Sequence, residues 1–315
     1  MSNAADRKTT SDAPHGWVDL QVNGYDGVDF SGPGLNLDKI GHVVRCLADR
    51  GVTAFCPTMI TSPEEIYREN LPLLAEAAAD DQLGPHLLGI HLEGPFLSPL
   101  DGARGAHPRE SVREPSIPFL QHLLEWADDW VSLVTLAPEM PGAIPLIDFL
   151  ASRGVLVSLG HHLANQETIC RACDAGATLA THLGNGIPNQ LPRHPNPIWD
   201  QLAEERLKIM LIADGHHLPD SFLKVCWRAA GADRILLTSD AAPIAGYPAG
   251  EYMNLGHKVR LEENGKLWNP AGNHLVGSSF QLDQCVRHAE RVLGLTGAES
   301  RKIARENALS LLGLT

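Results

Sequence analysis

The sequence predicts an α/β fold, a closed barrel of eight βα units, and three observations carry that expectation. Short β-rich runs alternate eight times with helical stretches or with a loop and then a helix, and alternating βα order implies a parallel sheet. Several of the strand runs are apolar throughout (VLVSL, IMLIA, ILLT), the pattern of strands buried on both faces. Helical stretches end on glycine at Arg50-Gly51, Arg153-Gly154, Ala175-Gly176 and Ala230-Gly231, the usual helix stop signal. The expected strands span residues 17–23, 52–58, 87–92, 131–136, 155–159, 177–181, 208–213 and 234–238. Helices are expected at 37–50, 63–79, 117–127, 143–153, 166–175, 220–230 and 280–293, with long loops after the third and sixth strands and a polar excursion after the eighth. A doubly wound open sheet competes, but no G-x-G-x-x-G follows the first strand and eight spaced units close naturally into a barrel.

The 315 residues suit one such barrel, and residues 15–315 are read as a single domain. Residues 1–14 are polar, include a Ser-Asn-Ala that resembles an expression scar, and are expected to be unstructured or tag-derived. Net charge is −13 with no basic run, which disfavours nucleic acid and anionic membranes as partners. No apolar run approaches the roughly 18 residues of a membrane-spanning helix. Six cysteines are scattered through apparent core segments. Cys170 and Cys173 form a C-x-x-C inside a helical pattern rather than at a strand-to-helix turn, so buried thiols and a reducing cytoplasm are expected.

Barrel active sites form at the C-terminal ends of the strands. Those ends here carry Gln21 and Asn23, Glu93, His161, His182, Asp214 with His216 and His217, and Asp240. Five of the 15 histidines (91, 161, 182, 216, 217) lie at these ends. Burying imidazoles beside carboxylates without compensation is costly. A divalent cation offsets the cost, and two imidazoles with one carboxylate and an open position make up a common catalytic zinc site. Asp240 is placed to take a proton from the attacking water and return it to a leaving amine, chemistry suited to an unactivated amide.

These residues fall in motifs that resemble the N-acetylglucosamine-6-phosphate deacetylase family of the amidohydrolase superfamily. The stretch Asp19-x-Gln21-x-Asn23-Gly24 is similar to the branch with one metal site, where most of the superfamily has His-x-His. HLEGPFL (91–97), LAPEM (136–140), GHH (160–162), THLGN (181–185), IADGHH (212–217), TSDA (238–241) and GSS (277–279) follow in family order. The resemblance implies a metal-dependent hydrolase barrel with Glu93, His161 and His182 as ligands of one divalent ion. Zinc is the first choice, with iron(II) or cobalt(II) compatible with the same donors. It implies Asp240 as general acid/base and His107 as the residue that polarises the acetyl carbonyl. Ala106, Asn185, Gly186, Arg193, His217, Val276 and Gly277 would contact a phosphorylated amino sugar, Arg193 reaching into a neighbouring subunit of a homodimer. The family's small β-sandwich is not expected here, because the first barrel strand begins near residue 17. The family's usual THxxNAM reads THLGNGI, with Gly186 and Ile187, and 192–200 departs from its R-x-P-G. Two other readings stay open at this point: an amidohydrolase for another N-acyl substrate such as an N-acyl amino acid, and a non-catalytic sugar-binding barrel.

Overall fold

The computed structural model describes residues 16–254 and 257–314, so residues 1–14, with the expectation placed on them, lie outside the described residues. The chain runs from β1 (Trp17–Val22) through a small hairpin, β2 (Gly24–Tyr25) and β3 (Val28–Asp29), to β4 (Val52–Ile60), β5 (Ile90–Glu93), β6 (Val131–Leu136), β7 (Leu156–Leu159), β8 (Leu179–Ala180), β9 (Lys208–Ile212) and β10 (Ile235–Thr238). Strands β1 and β4–β10 form one eight-stranded sheet in chain order, every neighbouring pair parallel. The sheet curls until its last strand meets its first. Asp240 N–H donates to the Gln21 carbonyl at 3.1 Å, and Asn23 N–H donates to the Ala241 carbonyl at 2.9 Å. The buried carboxylate of Asp19 stitches the same seam, accepting from Thr238 Oγ1 at 2.7 Å and from the Ser239 hydroxyl and amide. The expected (β/α)8 barrel is the fold observed.

The surrounding helices are α1 (Leu37–Ala48), α2 (Glu64–Ala79), α3 (Ile117–Trp126), α4 (Ala143–Ser152), α5 (Gln166–Asp174), α6 (Pro197–Ala203), α7 (Asp220–Arg234), α8 (Leu282–Leu293), α9 (Gly297–Arg301) and α10 (Asn307–Leu311). Polar caps start several of them: Asn36 accepts from Lys39 N, Ser116 from Phe119 N and Asn165 from Thr168 N. Gly51 adopts φ 79° just past α1, as a helix stop requires. Gly231 breaks α7 where the stop signal lies: its backbone is non-helical (φ 65°, ψ 179°), and a short turn to Arg234 follows the kink. Three elements were not anticipated. The Pro- and Asn-rich loop after β8 contains α6. The polar excursion after β10 folds as an antiparallel sheet of β11 (Gly250–Asn254), β12 (His257–Leu261), β13 (Leu267–Asn269) and β14 (His274–Leu275). The chain also continues past α8 into α9, a π-helical segment Lys302–Glu306, and α10.

The interior of the barrel is layered along its axis. Side chains alternate across a strand, so every second residue faces inward. The lowest layer is apolar: Leu133, Leu179, Met210 and Leu236 pack with Ala308 and Leu309 of α10. Two residues further along β6, β7 and the chain after β8, Thr135, Ser158 and Thr181 form a hydrogen-bonded polar layer, with Thr135 Oγ1 to Thr181 Oγ1 at 2.7 Å. The buried His91 joins this layer, its Nε2 2.8 Å from Thr135 Oγ1. The chemistry-bearing groups stand above it.

Replacing Asp19 with Ala removes the only acceptor that the Thr238 hydroxyl is seen to use and strips the Ser239 hydroxyl of its shortest contact. We expect a loss of about 3 kcal/mol of stability in urea unfolding. An unchanged midpoint would show that the seam does not rest on this carboxylate.

Candidate active site

The site is assembled from strand ends. Glu93 closes β5 and lies inward by simple alternation, 3% exposed. His161 and His182 follow inward-facing Gly160 and Thr181, so alternation alone would turn them outward. Left-handed backbone at both, φ 54° and φ 30°, swings them over the barrel mouth, and Asp240 at φ 52° shares this rare conformation. Such strain in non-glycine residues is held by surrounding structure and gathers at functional sites.

The result is a tight convergence. Glu93 Oε1 lies 3.1 Å from His161 Nε2 and 2.9 Å from His182 Nε2, and the two imidazole nitrogens are 3.1 Å apart. The Ala103 carbonyl sits 2.9 Å from His161 Nδ1, so that nitrogen carries a hydrogen. A neutral His161 therefore turns the lone pair of Nε2 toward the lone pairs of Glu93. Two acceptors do not hold each other in a buried pocket, and a positive centre between them resolves the conflict. A tetrahedral zinc ion with bonds of about 2.0–2.1 Å holds its ligand atoms roughly 3.3 Å apart, close to the spacings observed. The donor set fits a divalent cation, and Glu93, His161 and His182 form one of two such groups among the described residues. His182 Nδ1 is buried with no hydrogen-bond partner.

Three further groups complete the mouth. Gln21 Nε2 donates to both carboxylates, Glu93 Oε1 at 2.9 Å and Asp240 Oδ1 at 3.0 Å, and Asn23 Nδ2 donates to the same Asp240 oxygen at 2.7 Å. Both amides go to Oδ1, which leaves Oδ2 to carry a proton. Burial, with the nearby Glu93 carboxylate adding to it, raises the Asp240 pKa to about 6. Burial also pushes the Glu93 carboxyl up, but its close interactions with His161 and His182 outweigh this and hold it well below the ordinary range. His107 comes from the long loop after β5. Thr61 N–H donates to its Nδ1 at 3.4 Å, so Nε2–H points into the site, 3.2 Å from His161 Nε2. Burial drives its pKa down to about 3, which keeps the ring neutral and a hydrogen-bond donor.

Asn23, Glu93, His107, His161, His182 and Asp240 line a cavity of about 720 Å³, within the range of small-molecule sites. Ala106, Asn185, Gly186, His217, Val276 and Gly277 line it as well. Asp214 Oδ2 lies 2.7 Å from His217 Nδ1 and accepts from Ser278 Oγ at 2.9 Å, which leaves His217 Nε2 for a ligand. Histidine and serine contacts and two backbone amides hold Asp214 ionised against the effect of its burial. Arg193 is the exception: it is exposed on the loop before α6 and is not part of the cavity wall of its own chain. Of the five strand-end histidines, His161, His182 and His217 face the site, and His216 sits at the rim with Nε2 on the Asn264 carbonyl at 3.0 Å. His91 lies below, its Nδ1 on the Leu20 carbonyl at 3.0 Å, and burial lowers its pKa to about 4. One part of the wall carries no sequence motif: Asn254, Lys266, Trp268 and His274 of the inserted sheet line the cavity there.

No protein-family model matches the chain. It is 37% identical over 314 residues to the N-acetylglucosamine-6-phosphate deacetylase of Bos taurus, covering 95% of this chain and 74% of that protein. It is 33% identical over 300 residues to the N-acetylgalactosamine-6-phosphate deacetylase of Escherichia coli O157:H7, covering 95% and 77%. Among solved structures, it resembles the Mycobacterium smegmatis N-acetyl-D-glucosamine-6-phosphate deacetylase in complex with N-acetyl-D-glucosamine-6-phosphate, with a TM-score of 0.84 at 28% identity over 95% of this chain and 77% of that one. The Pasteurella multocida N-acetylglucosamine-6-phosphate deacetylase gives 0.85 at 27% identity, over 95% and 76%. With the cavity, the converging donors and these relatives together, the chain belongs to the N-acetylglucosamine-6-phosphate deacetylase family.

Proposed function

We propose that the protein hydrolyses the amide of N-acetylglucosamine 6-phosphate, giving glucosamine 6-phosphate and acetate, with one divalent cation held by Glu93, His161 and His182. The observation that carries the reading is the meeting of those three donors beside Asp240 and His107 on one cavity wall. Zinc suits two imidazoles and a carboxylate, and iron(II) or cobalt(II) suits them too. When bound, the cation acts as a Lewis acid that polarises the amide and lowers the pKa of water towards about 7.

The chain's own groups do the rest. Asp240 Oδ2 takes the proton of the attacking water and delivers it to the leaving nitrogen, while Gln21 and Asn23 hold Oδ1 in place. His107 Nε2–H donates to the acetyl oxygen as negative charge gathers there. Asn185, the backbone of Ala106 and Gly186, and the Val276-Gly277 segment orient the sugar, and His217 presents Nε2 to the phosphate end. Arg193 fits as a phosphate contact for a neighbouring subunit, because it is exposed and does not line its own cavity, and a guanidinium matches phosphate oxygens. This makes the working unit a homodimer. The six free cysteines and a phosphorylated substrate suit the cytoplasm, and among the described residues no helix is long and apolar enough to cross a membrane.

The relatives favour this reading over an N-acyl amino acid hydrolase, and the proton-carrying Asp240 favours it over a sugar-binding barrel. Asp240→Asn is expected to lower kcat by at least about a thousandfold in an acetate-release assay, with bound metal unchanged by elemental analysis. Undiminished turnover would remove the proton shuttle from the account. Arg193→Ala is expected to raise KM for N-acetylglucosamine 6-phosphate by about tenfold or more, and to leave the unphosphorylated sugar and N-acetyl amino acids as poor as before. Equal KM values in wild type and variant would point to a substrate without phosphate. Assaying the galactosamine epimer alongside distinguishes the two sugar classes of the relatives.

A further inference from the structure

We propose that Asp26, His42 and Cys46 form a second cation site, separate from the active site, that takes a zinc-like dication with one sulfur ligand. His42 and Cys46 stand one helical turn apart on α1 and so share a face of that helix. The buried residues Ile40, Val43, Val44 and Leu47 fix the helix's rotation against the barrel. Asp26 lies between β2 and β3, in left-handed backbone at φ 48°. Its N–H bonds the Ala245 carbonyl at 2.9 Å and the next amide, of Gly27, bonds the Pro243 carbonyl at 2.8 Å, so the turn is tied down without help from the cluster.

The three ligand atoms lie close together. Asp26 Oδ2 lies 2.8 Å from His42 Nε2, and Cys46 Sγ lies 3.5 Å from that same nitrogen. All three atoms fall within 4.8 Å of one another. A tetrahedral zinc or cobalt(II) ion, with bonds of about 2.0–2.3 Å, keeps nitrogen, oxygen and sulfur ligands roughly 3.3–3.6 Å apart, so small side-chain adjustments complete the site. One thiolate, one imidazole and one carboxylate select such ions over magnesium or calcium, which take oxygen ligands. The Asp26 and His42 side chains are each 41% exposed, so water reaches the fourth position. On binding, the Cys46 thiol gives its proton to solvent and Sγ donates a lone pair to the ion. A filled site would pin the β2–β3 hairpin to α1, and that hairpin follows Asn23, whose amide holds Asp240.

The sulfur makes the site separately visible. Glu93, His161 and His182 offer only oxygen and nitrogen, whereas thiolate bound to cobalt(II) adds a charge-transfer absorption in the near ultraviolet. The test is a cobalt(II) titration of the full chain, followed by absorption and by equilibrium dialysis. The expected result is the near-ultraviolet band together with one more cobalt bound per chain than in Cys46→Ser. That variant should lack the band and keep wild-type hydrolysis. His42→Ala should weaken cobalt binding at this site by more than about tenfold, which provides a second reading if Cys46→Ser folds poorly. A saturated wild-type chain without the band would overturn the proposal, as would a band of equal strength in Cys46→Ser or unweakened binding in His42→Ala. Failure to release acetate would bear on the deacetylase reading and leave this site standing.

Discussion

At the mouth of the barrel a carboxylate and two imidazole nitrogens are pressed together out of reach of bulk water. His161 commits its Nδ1–H to the Ala103 carbonyl, so in the neutral ring its other nitrogen offers a lone pair to Glu93. In a low-dielectric pocket that contact is repulsive unless positive charge lies within it. The rest of the site serves the same constraint. Left-handed backbone turns two histidines inward, Gln21 supplies an N–H between Glu93 and Asp240, and the threonine and serine hydroxyls beneath keep the floor polar.

Barrel closure is what brings these groups together. Glu93 and Asp240 come from strand ends that are far apart in the chain, and the amides that bridge or clamp them come from β1, which meets β10 only because the sheet closes. Asp19 fastens that seam a short step below Gln21. Stability and catalytic geometry therefore share one set of contacts on this side of the barrel. The inserted sheet, which rejoins the barrel beside this seam at Ser278, brings Lys266 and Trp268 to the cavity wall.

How much of this could be read from the sequence depended on how regular each piece is. Apolar strand runs and glycine stops announced the eight units, and Glu93 was legible because it simply continues the alternation of its strand. His161 and His182 were legible as polar residues at strand ends but not in their orientation, since no residue pattern encodes positive φ in a histidine. Counting histidines at strand ends also took in His91, which is held by the Leu20 carbonyl and Thr135. Helix α6 hid in a segment rich in proline and asparagine, and the strands of the inserted sheet are only two to five residues long, so the alternation in β12 is too brief to stand out in a polar segment. Gln21 and Asn23 could be seen as standing where other barrels have His-x-His. Their part in holding Asp240 needed the closed seam.

Diffraction recorded on both sides of a metal absorption edge, from crystals of the full chain grown without chelator, shows whether a cation sits between Glu93, His161 and His182. A bound cation gives an anomalous peak about 2.0–2.2 Å from the Glu93 carboxylate and from His161 Nε2 and His182 Nε2. Featureless density between those three atoms, in crystals of protein that still releases acetate, would contradict the cation's presence.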